Sequence, residues 1–362
     1  MERVPENKDK ALTIYDIAKE AGVSPATVSR VLTNNANVRK EKREKIQNLI
    51  DKYNFTPNAM ARGLSDNQRK VIGVVAADIR NPYYAEVFVA CENAAREAGY
   101  TTLLCNSLGI TEREEQHLEM LQQQRVDAII QLGGRADDLV SSAEYAEKVK
   151  QIIPNIPIVV TGKLDGTRCY EVQIDARRAV RLLMDHLVGL GHEKIALAGG
   201  RWDVLATFVK IQEYREVLKE HNIPYREEYV IEGSYNYETG YFCMNQILEL
   251  DDMPTAVVAI NDFAAAGVAR SLAEHGYRIP EDISVVSYDN THLAEFLNPK
   301  LTSIDYDYVT FGRKLVETAI AAAQGRKVPQ RQKVTPSLMV RESSGPAPGF
   351  LGTHGTGREC RG

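Results

Sequence analysis

Two short helical segments separated by a single glycine constrain the fold of this chain more than any other feature. A possible cap at Thr13 precedes the first apolar-periodic segment, and Gly22 can adopt the positive φ of a tight turn. Ser24 can then cap a second helix, in which Pro25 suits the first position. A third, charge-rich helix is predicted over about residues 40–53. The pattern is typical of a helix-turn-helix.

Charge is unevenly distributed along the chain. Residues 1–70 contain 14 Lys and Arg against 9 Asp and Glu, whereas the remainder contains 30 against 40. The net charge of −5 for the whole chain therefore conceals a basic head on an acidic body. This asymmetry indicates that only the head meets phosphates, although a charged face can also be merely solvated.

The spacing of the cysteines and the length of the apolar runs indicate which classes of protein this chain can belong to. The five cysteines are scattered singly, which favours reduced cytosolic thiols over a disulfide framework or a zinc site. No apolar run approaches the roughly 20 residues of a membrane span, and the charged start lacks the apolar segment of a signal peptide. The histidines show no catalytic or metal-binding spacing. We expect a cytoplasmic protein that is not an enzyme, makes no membrane contact and needs no metal or cofactor.

From residue 71 onward, apolar strands alternate with helices. Val71–Ala77, Ala128–Leu132 and Ile283–Tyr288 are apolar with little alternation, which is typical of parallel strands buried on both faces. A segment of about 270 residues exceeds one small core. The pattern predicts two α/β subdomains with parallel sheets. The Gly-rich tail over residues 345–362 is expected to be disordered or added to the natural chain.

Two motifs make a family resemblance specific. The segment TIYDIAKEAGVSPATVSRVL at residues 13–32 resembles the head-piece signature of the lactose/galactose repressor family, and PNAMARGL at residues 57–64 is similar to its hinge helix. Further matches are DIRNPYY at 78–84, LGHEKIA at 190–196, PEDISVVSYD at 280–289 and LTSI at 301–304. The resemblance covers residues 12–344.

The resemblance implies a domain organisation and a function. It implies a sequence-specific regulator, in most members a repressor, that binds operator DNA as a homodimer and responds to a small-molecule effector, here a sugar or sugar phosphate. The effector would lie between two subdomains arranged as in periplasmic binding proteins. The implied divisions are a helix-turn-helix head-piece (1–56), a hinge helix and linker (57–70), an N-subdomain (about 71–174 and 292–325) and a C-subdomain (about 175–291 and 326–344).

The predicted DNA contacts lie on the helix-turn-helix and on the hinge. An α-helix fits the major groove, and its N-terminal residues reach base edges. Because Ala26 can at most touch a thymine methyl, direct readout is expected to depend on Arg30, Thr27 and Ser29. The resemblance implies that Leu64 enters the minor groove and kinks DNA, although it could instead pack on the core. The full predicted set is Thr13, Tyr15, Ser24, Pro25, Ala26, Thr27, Ser29, Arg30, Asn58, Ala61 and Leu64.

The predicted effector contacts follow the ends of strands, where open α/β sheets bind ligands. Tyr83 and Tyr84 follow the first strand, and one of them can stack on a sugar while the other is in the core. Asp289 ends a later strand, where the family uses an aspartate to accept hydrogen bonds from hydroxyls. Asp262 either contacts the effector or caps a helix. The full predicted set is Tyr83, Tyr84, Trp202, Lys210, Asp262 and Asp289.

One departure from the family pattern concerns Lys210. Many members have an arginine there, followed three residues later by a glycine, whereas this chain has Glu213 at the later position. A lysine offers a point charge rather than a planar fork, so a standard effector pose is not expected. Trp202 precedes it in a loop and could stack on a ligand or cover a surface patch.

A second regulatory mode remains open. Several segments, including residues 24–30 and 230–237, resemble the catabolite control proteins of Gram-positive bacteria, which a serine-phosphorylated phosphocarrier protein activates. Glu317 stands where an arginine would be expected to bind that phosphate. Arg313 and Lys314 could compensate only if they project to the same face. We therefore prefer a sugar-responsive regulator and keep the phosphocarrier as the alternative. The DNA head argues against a stand-alone solute-binding protein.

Overall fold

The structure, a computed structural model, describes residues 12–32, 38–53, 55 and 69–350. It divides into two compact units, residues 1–69 and residues 70–362. The predicted hinge contacts Asn58, Ala61 and Leu64 lie outside the described residues. Along the described ranges, no helix is both long enough and apolar enough to cross a membrane.

The described part of the first unit is helical, as predicted. Its helices are α1 (Ile14–Ala21), α2 (Pro25–Leu32) and α3 (Lys40–Lys52). The Thr13 backbone N–H donates to the Asp16 carboxylate at 2.8 Å and begins α1, whereas Gly22, with φ of 72°, ends it. The small core consists of Ile17, Ala18, Ala21, Val28, Val31 and Ile46.

A polar contact joins α1 to the end of α3. Glu20 accepts from the Lys52 ammonium at 3.1 Å and from the Tyr53 hydroxyl at 3.0 Å. The hydrogen bond from Lys52 lowers the pKa of Glu20. Because all three side chains are exposed, this contact contributes little beyond the apolar core to the stability of the unit.

The second unit alternates strands and helices. Its strands are β1 (Val71–Ala76), β2 (Thr101–Asn106), β3 (Ala128–Leu132), β4 (Ile158–Val160), β5 (Tyr170–Ile174), β6 (Ile195–Ala198), β7 (Val230–Ile231), β8 (Ala256–Ala259), β9 (Ser284–Asp289), β10 (Thr302–Asp305), β11 (Arg331–Val334) and β12 (Ser337–Met339). Its helices are α4 (Pro82–Glu97), α5 (Thr111–Gln123), α6 (Ala143–Ile152), α7 (Ala176–Gly189), α8 (Leu205–Glu220), α9 (Tyr237–Leu248), α10 (Asp262–Glu274), α11 (His292–Phe296) and α12 (Tyr308–Ala323), with 3₁₀ turns at Gly134–Asp137 and Glu227–Tyr229.

The strands form two six-stranded sheets. The first has the order β11-β5-β4-β3-β1-β2 and is parallel throughout. The second has the order β12-β10-β9-β8-β6-β7 and is parallel except between β10 and β12. Each sheet has an apolar cluster on both faces. This burial on both sides explains why the central strands lack alternation.

The sheets correct the predicted allocation of the C-terminal segments. β10 lies within residues 292–325, which the prediction placed in the N-subdomain, but it pairs with β9 in the second sheet. β11 lies within residues 326–344, which the prediction placed in the C-subdomain, but it pairs with β5 in the first sheet. Both strands are short; β11 lies at the edge of the first sheet and β10 lies between β9 and β12 in the second, and local sequence did not distinguish these partners. α12 and β12 belong where they were predicted, since α12 packs on α4 and β12 pairs with β10 in the second sheet.

The first part of the predicted disordered tail is packed on the second unit. The Gly345 N–H donates to the Ser284 hydroxyl at 3.0 Å, and the Ala347 N–H donates to the Leu190 carbonyl oxygen at 2.9 Å. The Phe350 ring lies where a side chain at Gly191 would stand. The prediction is therefore wrong for residues 345–350, and residues 351–362 lie outside the described range.

Candidate DNA interface and ligand cleft

The helix-turn-helix presents a polar face opposite its apolar core. Val28 and Val31 of α2 are buried, whereas Ala26 and Arg30 are exposed. The Ser24 hydroxyl accepts from the Thr27 backbone N–H at 3.3 Å and thereby begins α2. The face that the sequence assigned to DNA is thus turned away from the core.

The remaining predicted head contacts lie at or near the same two helix starts. Thr13 and Tyr15 are exposed, and the Tyr15 side chain is 71% exposed although it is aromatic. Pro25, Thr27 and Ser29 are partly buried in α2. A large aromatic side chain that contributes nothing to the core of so small a unit is available for a partner.

A cleft of about 950 Å³ separates the two sheets. Its walls are loops that follow the carboxyl ends of strands β1 and β3 in the first sheet and of β6, β8 and β9 in the second. In each sheet the chain order reverses beside these strands, which is where parallel α/β sheets bind ligands. The predicted residues Tyr83, Tyr84, Lys210 and Asp289 all line this cleft.

Tyrosines form one wall of the cleft. The rings of Tyr83 and Tyr84 meet edge to face with their centroids 5.0 Å apart. The Tyr83 ring also meets the Tyr306 ring edge to face, with a centroid distance of 6.0 Å. Tyr235 lines the opposite side, and its hydroxyl lies 2.7 Å from that of Thr207. Burial raises the pKa of Tyr83 and Tyr84 well above the ordinary range, so both are neutral. These rings offer apolar faces with hydroxyls at their edges.

Asp289 and Lys210 lie at the floor of the second subdomain. Asp289 is buried and has a φ of 103°, an uncommon conformation for a residue other than glycine. Burial, reinforced by the negative charge of Asp262, raises the pKa of Asp289. The Lys210 ammonium donates to the Ile260 carbonyl oxygen at 3.1 Å and lies 3.8 Å from the centre of the Tyr288 ring. Burial lowers the pKa of Lys210.

Asp262 does not reach the cleft, which corrects the expectation that it faces a ligand. Its carboxylate accepts from the hydroxyls of Ser287 and Ser303 and from the backbone and side chain of Thr291. The helix cap is the preceding residue, Asn261, whose side-chain oxygen accepts from the Ala264 N–H at 2.8 Å. Asn261 also lines the cleft. Asp262 therefore connects β8, β9 and β10 beneath the cleft floor.

Trp202 also lies away from the cleft lining and is 45% exposed. Its backbone N–H donates to Glu232 at 3.1 Å. The aromatic side chain that enters the second subdomain wall is instead Tyr235, which the sequence reasoning missed. A signal for it existed, because Tyr235 follows the short strand β7 and precedes the Asn236 cap of α9.

Glu213 has a structural explanation. Its buried carboxylate accepts from Arg177 at 3.0 Å and from Arg181 at 2.5 Å. Both arginines lie on α7, so Glu213 on α8 ties the two helices together. Glu213 therefore faces α7 rather than the cleft, and Lys210 is the charged side chain of α8 that lines the cleft.

The other cations of the cleft wall are paired with carboxylates of the chain. The pairs are Arg80–Asp78 at 2.7 Å, Arg135–Asp138 at 3.0 Å, Arg177–Glu213 at 3.0 Å, Arg201–Asp203 at 2.6 Å and Lys333–Asp175 at 3.5 Å. Over the described ranges, no three His, Cys, Asp or Glu side chains group as metal ligands. The cleft thus offers aromatic rings, hydroxyls and carboxyl groups rather than an open cationic pocket.

Comparisons with known proteins agree with this arrangement. Residues 13–58 match the family described as bacterial regulatory proteins, lacI family, and residues 184–344 match a periplasmic binding protein-like domain. The chain is 33% identical over 338 residues to the transcriptional repressor PurR of Mannheimia succiniciproducens, covering 91% of this chain and 98% of PurR. It is also 33% identical over 295 residues to catabolite control protein A of Priestia megaterium, covering 81% of this chain and 87% of that protein.

Solved structures show the same fold. A lac repressor dimer bound to operator and the anti-inducer ONPF matches with a TM-score of 0.83 and 28% identity, over 93% of this chain and all of that chain. A complex of the transcriptional regulator CelR with cellobiose matches with a TM-score of 0.68 and 27% identity, over 92% of this chain and all of that chain. A LacI family regulator of Enterococcus faecium with bound ribose matches with a TM-score of 0.67 and 26% identity, over 76% of this chain and 99% of that chain. The chain therefore belongs to the lacI family of bacterial regulatory proteins, and it is a DNA-binding transcriptional repressor with an effector-binding core.

Proposed function

We propose that this repressor binds operator DNA as a homodimer and that a neutral sugar, held between its two sheets, sets its operator affinity. The observation that carries the proposal is the chemistry of the cleft. Tyr83, Tyr84 and Tyr235 provide faces for a sugar ring, and Asp289 accepts hydrogen bonds from hydroxyls. The cellobiose and ribose complexes of two structural relatives support this class of ligand.

A neutral sugar suits the cleft better than a sugar phosphate. Each arginine of the wall already has a carboxylate partner within hydrogen-bonding distance. A phosphate would have to break one of these pairs and would also approach the acidic side chains around them. Hydroxyls, in contrast, can donate to the carboxyl groups without displacing any cation.

The edge of the first sheet favours a second copy of the chain as partner. β2 is an edge strand, and its Leu103 and Leu104 side chains are both exposed. An apolar edge strand is prone to pair with another chain unless it is covered. The dimeric state of the related lac repressor supports a second copy in this role.

Ligand control requires that the sugar bind one arrangement of the subdomains better than another. A ligand that contacts both walls of the cleft has this property, because its contacts depend on the separation of the sheets. The sugar concentration would then determine the fraction of the protein in the arrangement that binds the operator.

Truncation tests the DNA assignment. Deletion of residues 1–64 should abolish binding to a DNA site selected by the full chain from a random library, while the remaining chain still melts cooperatively. The full chain should show a steep linear fall of log affinity with log salt. Retained DNA binding by the truncated chain would contradict the assignment.

A thermal-shift panel tests the ligand class. Neutral sugars, headed by cellobiose and D-ribose, should be compared with their phosphate esters, because a ligand that binds only the native state raises the melting temperature. The proposal expects stabilisation by a neutral sugar and a smaller effect of its phosphate ester. Stabilisation by phosphate esters alone would reject the neutral class.

A serine-phosphorylated phosphocarrier protein remains the second candidate regulator. Phe296 at the end of α11 and Val309 in the first turn of α12 are 76% and 66% exposed, as suits a protein partner. Arg313 lies on α12 with Glu317 one turn further on, and both are exposed. Glu317 on the same helix face would repel a phosphate. Calorimetric titration with the phosphorylated and unphosphorylated carrier separates this candidate from the sugar.

A further inference from the structure

Two consecutive residues at the end of β9 have left-handed backbone angles. Asp289 has a φ of 103° and Asn290 a φ of 51°. Along the ranges that the structure describes, no other pair of adjacent residues without a glycine has positive φ at both positions. Such a conformation costs energy in a residue with a side chain, and it persists only where the surroundings hold it. The turn after β9 therefore depends on contacts that fix it.

The strained turn carries a residue that the proposed sugar would contact. Asp289 is buried and lines the cleft. A glycine would adopt the φ of this position without strain, but it has no carboxyl group to accept a hydrogen bond. The direction of the Asp289 side chain follows from the backbone angles of the turn. Whatever fixes the turn therefore also fixes where this acceptor lies.

Asn290 is held by two elements that are distant from it in sequence. Its backbone N–H donates to the Ser303 hydroxyl oxygen of β10 at 3.0 Å. Its side-chain oxygen accepts from the Arg341 guanidinium at 2.7 Å, and Arg341 follows β12. The second contact has a charged donor, which makes it the stronger kind of hydrogen bond.

The Arg341 guanidinium closes the loop that contains α11. Only 14% of the Arg341 side chain is exposed. While one of its terminal nitrogens donates to Asn290, the other donates to the Leu301 carbonyl oxygen at 2.9 Å. Asn290 and Leu301 lie at opposite ends of the segment that includes α11. The planar fork of an arginine holds both bonds in one fixed geometry, which a lysine does not reproduce.

We infer that Arg341 is a positioning residue of the effector site, which acts through Asn290 to hold the Asp289 carboxyl at the cleft. The inference rests on the proposed sugar function and deepens it. Arg341 itself is not among the residues that line the cleft. Its effect on a ligand therefore passes through the turn at residues 289–290. A residue of the C-terminal segment thereby determines how well the cleft recognises its sugar.

The test uses variants of the full-length chain. Arg341→Met removes the fork, Arg341→Lys keeps one cationic donor, and Asn290→Gly removes only the acceptor and still allows a φ of 51°. The matched control is Arg226→Met, because Arg226 is a partly exposed arginine of the second subdomain, paired with Asp252 and outside the cleft lining. The probe is the neutral sugar, from the panel headed by cellobiose and D-ribose, that most stabilises the wild type. Calorimetry measures its affinity, and thermal melting without sugar measures the stability of each variant.

Arg341→Met and Asn290→Gly should each bind the sugar about 10-fold more weakly, because the loss of one charged hydrogen bond is passed in part to Asp289. Arg341→Lys should recover part of the affinity, since its ammonium can still donate to Asn290. Arg226→Met should keep wild-type affinity. Wild-type affinity in Asn290→Gly and in a cooperatively melting Arg341→Met overturns the inference. If Arg341→Met does not fold, Asn290→Gly decides alone.

A double-mutant cycle with Asp289→Ala separates positioning from a general loss of structure. If Arg341 acts through Asp289, then Arg341→Met and Asn290→Gly should cause no further loss of sugar affinity once the Asp289 carboxyl is absent. The same fold-change with and without that carboxyl assigns Arg341 a purely structural role and overturns the inference.

The proposed function fails in a different way. If no neutral sugar stabilises the wild type, the sugar proposal is rejected before any variant is compared, and the inference falls with it. If a neutral sugar binds the wild type and Asp289→Ala equally well, the sugar proposal stands, whereas the role of Arg341 is overturned.

Discussion

Asp138 and Val204 form an antiparallel β-bridge between the two subdomains, and the Leu139 N–H donates to the Asp203 carbonyl oxygen at 2.7 Å beside it. The bridge joins the loop after β3 in the first sheet to the loop after β6 in the second. Asp138 and Val204 also line the cleft. This backbone contact therefore closes part of the cleft wall and depends on the separation of the two sheets.

A disulfide should form across this bridge in the variant with Asp138→Cys and Val204→Cys. The hydrogen-bond pattern is that of a non-hydrogen-bonded antiparallel pair, whose Cα atoms lie about 4.5 Å apart, within disulfide range. Thiol counting by mass spectrometry measures it, and the native Cys91, Cys105, Cys169 and Cys243 are buried. The control variant carries Val140→Cys with Val204→Cys. Residue 140 is two positions out of register with residue 204, so the two cysteines would lie about 7–8 Å apart and should not cross-link. Equal cross-linking in both would show that the bridge is not the populated contact.

Asp289 and Asp262 should respond differently to replacement by asparagine. Asp289→Asn should weaken sugar binding by about 1.5–3 kcal/mol and leave the fold intact, because Asp289 lines the cleft. Asp262→Asn should lower the free energy of unfolding by about 3 kcal/mol, since its new amide would oppose the donors of Ser287, Ser303 and Thr291. Calorimetric titration and urea unfolding measure the two effects. A stable Asp262→Asn variant that loses sugar binding would return Asp262 to the site.

The pH dependence of stability should contain a contribution from Glu114. Burial raises its pKa from 4.5 to about 7 in the folded chain, where the Tyr145 hydroxyl donates to it at 3.1 Å. Between these two values the folded chain keeps a proton that the unfolded chain has released. The free energy of unfolding therefore falls as pH rises through this window, by about 3 kcal/mol from this group.

Glu114→Gln should flatten that slope in urea unfolding measured from pH 4.5 to pH 7. Asp137 titrates in the same range, so the comparison must be the difference between variant and wild type. Glu147→Gln, an exposed glutamate of the same subdomain, is the control and should leave the slope unchanged. An unaltered slope in Glu114→Gln would mean that its carboxyl is ionised in the folded chain.

Arg30→Ala should cost about 1–3 kcal/mol on a selected DNA site if the guanidinium pairs with a guanine in the major groove. The effect on random DNA should be smaller, because phosphate contacts do not read sequence. Lys42→Ala on α3 is the control, because Lys42 is exposed and is not among the predicted base readers, and any loss of affinity should be the same on both DNAs. An equal loss on both DNAs for Arg30→Ala would assign Arg30 to the phosphates, and a gel-shift titration distinguishes the cases.

Local signals determined the helix-turn-helix and most of the secondary structure. Thr13, Ser24 and Gly22 act through hydrogen bonds and backbone angles within a few residues of their own positions, so their effect is visible in sequence. The apolar strands β1, β3 and β9 required burial on both faces wherever their partners lay. Tyr83 and Asp289 were predicted at the cleft for the same reason, because the carboxyl ends of parallel strands share one edge.

Tertiary structure decided the rest. Strand pairing corrected the subdomains of β10 and β11: β10 pairs with β9, the preceding strand of the chain, whereas β11 pairs with β5, far away in sequence. Asn261 and Asp262 are neighbours at the start of α10, where each residue turns the side chain by about 100°. One side chain consequently lines the cleft, and the other binds Ser287 and Ser303 beneath it. Sequence names which polar groups stand at a strand end, whereas the packing of distant strands selects the one that meets a ligand.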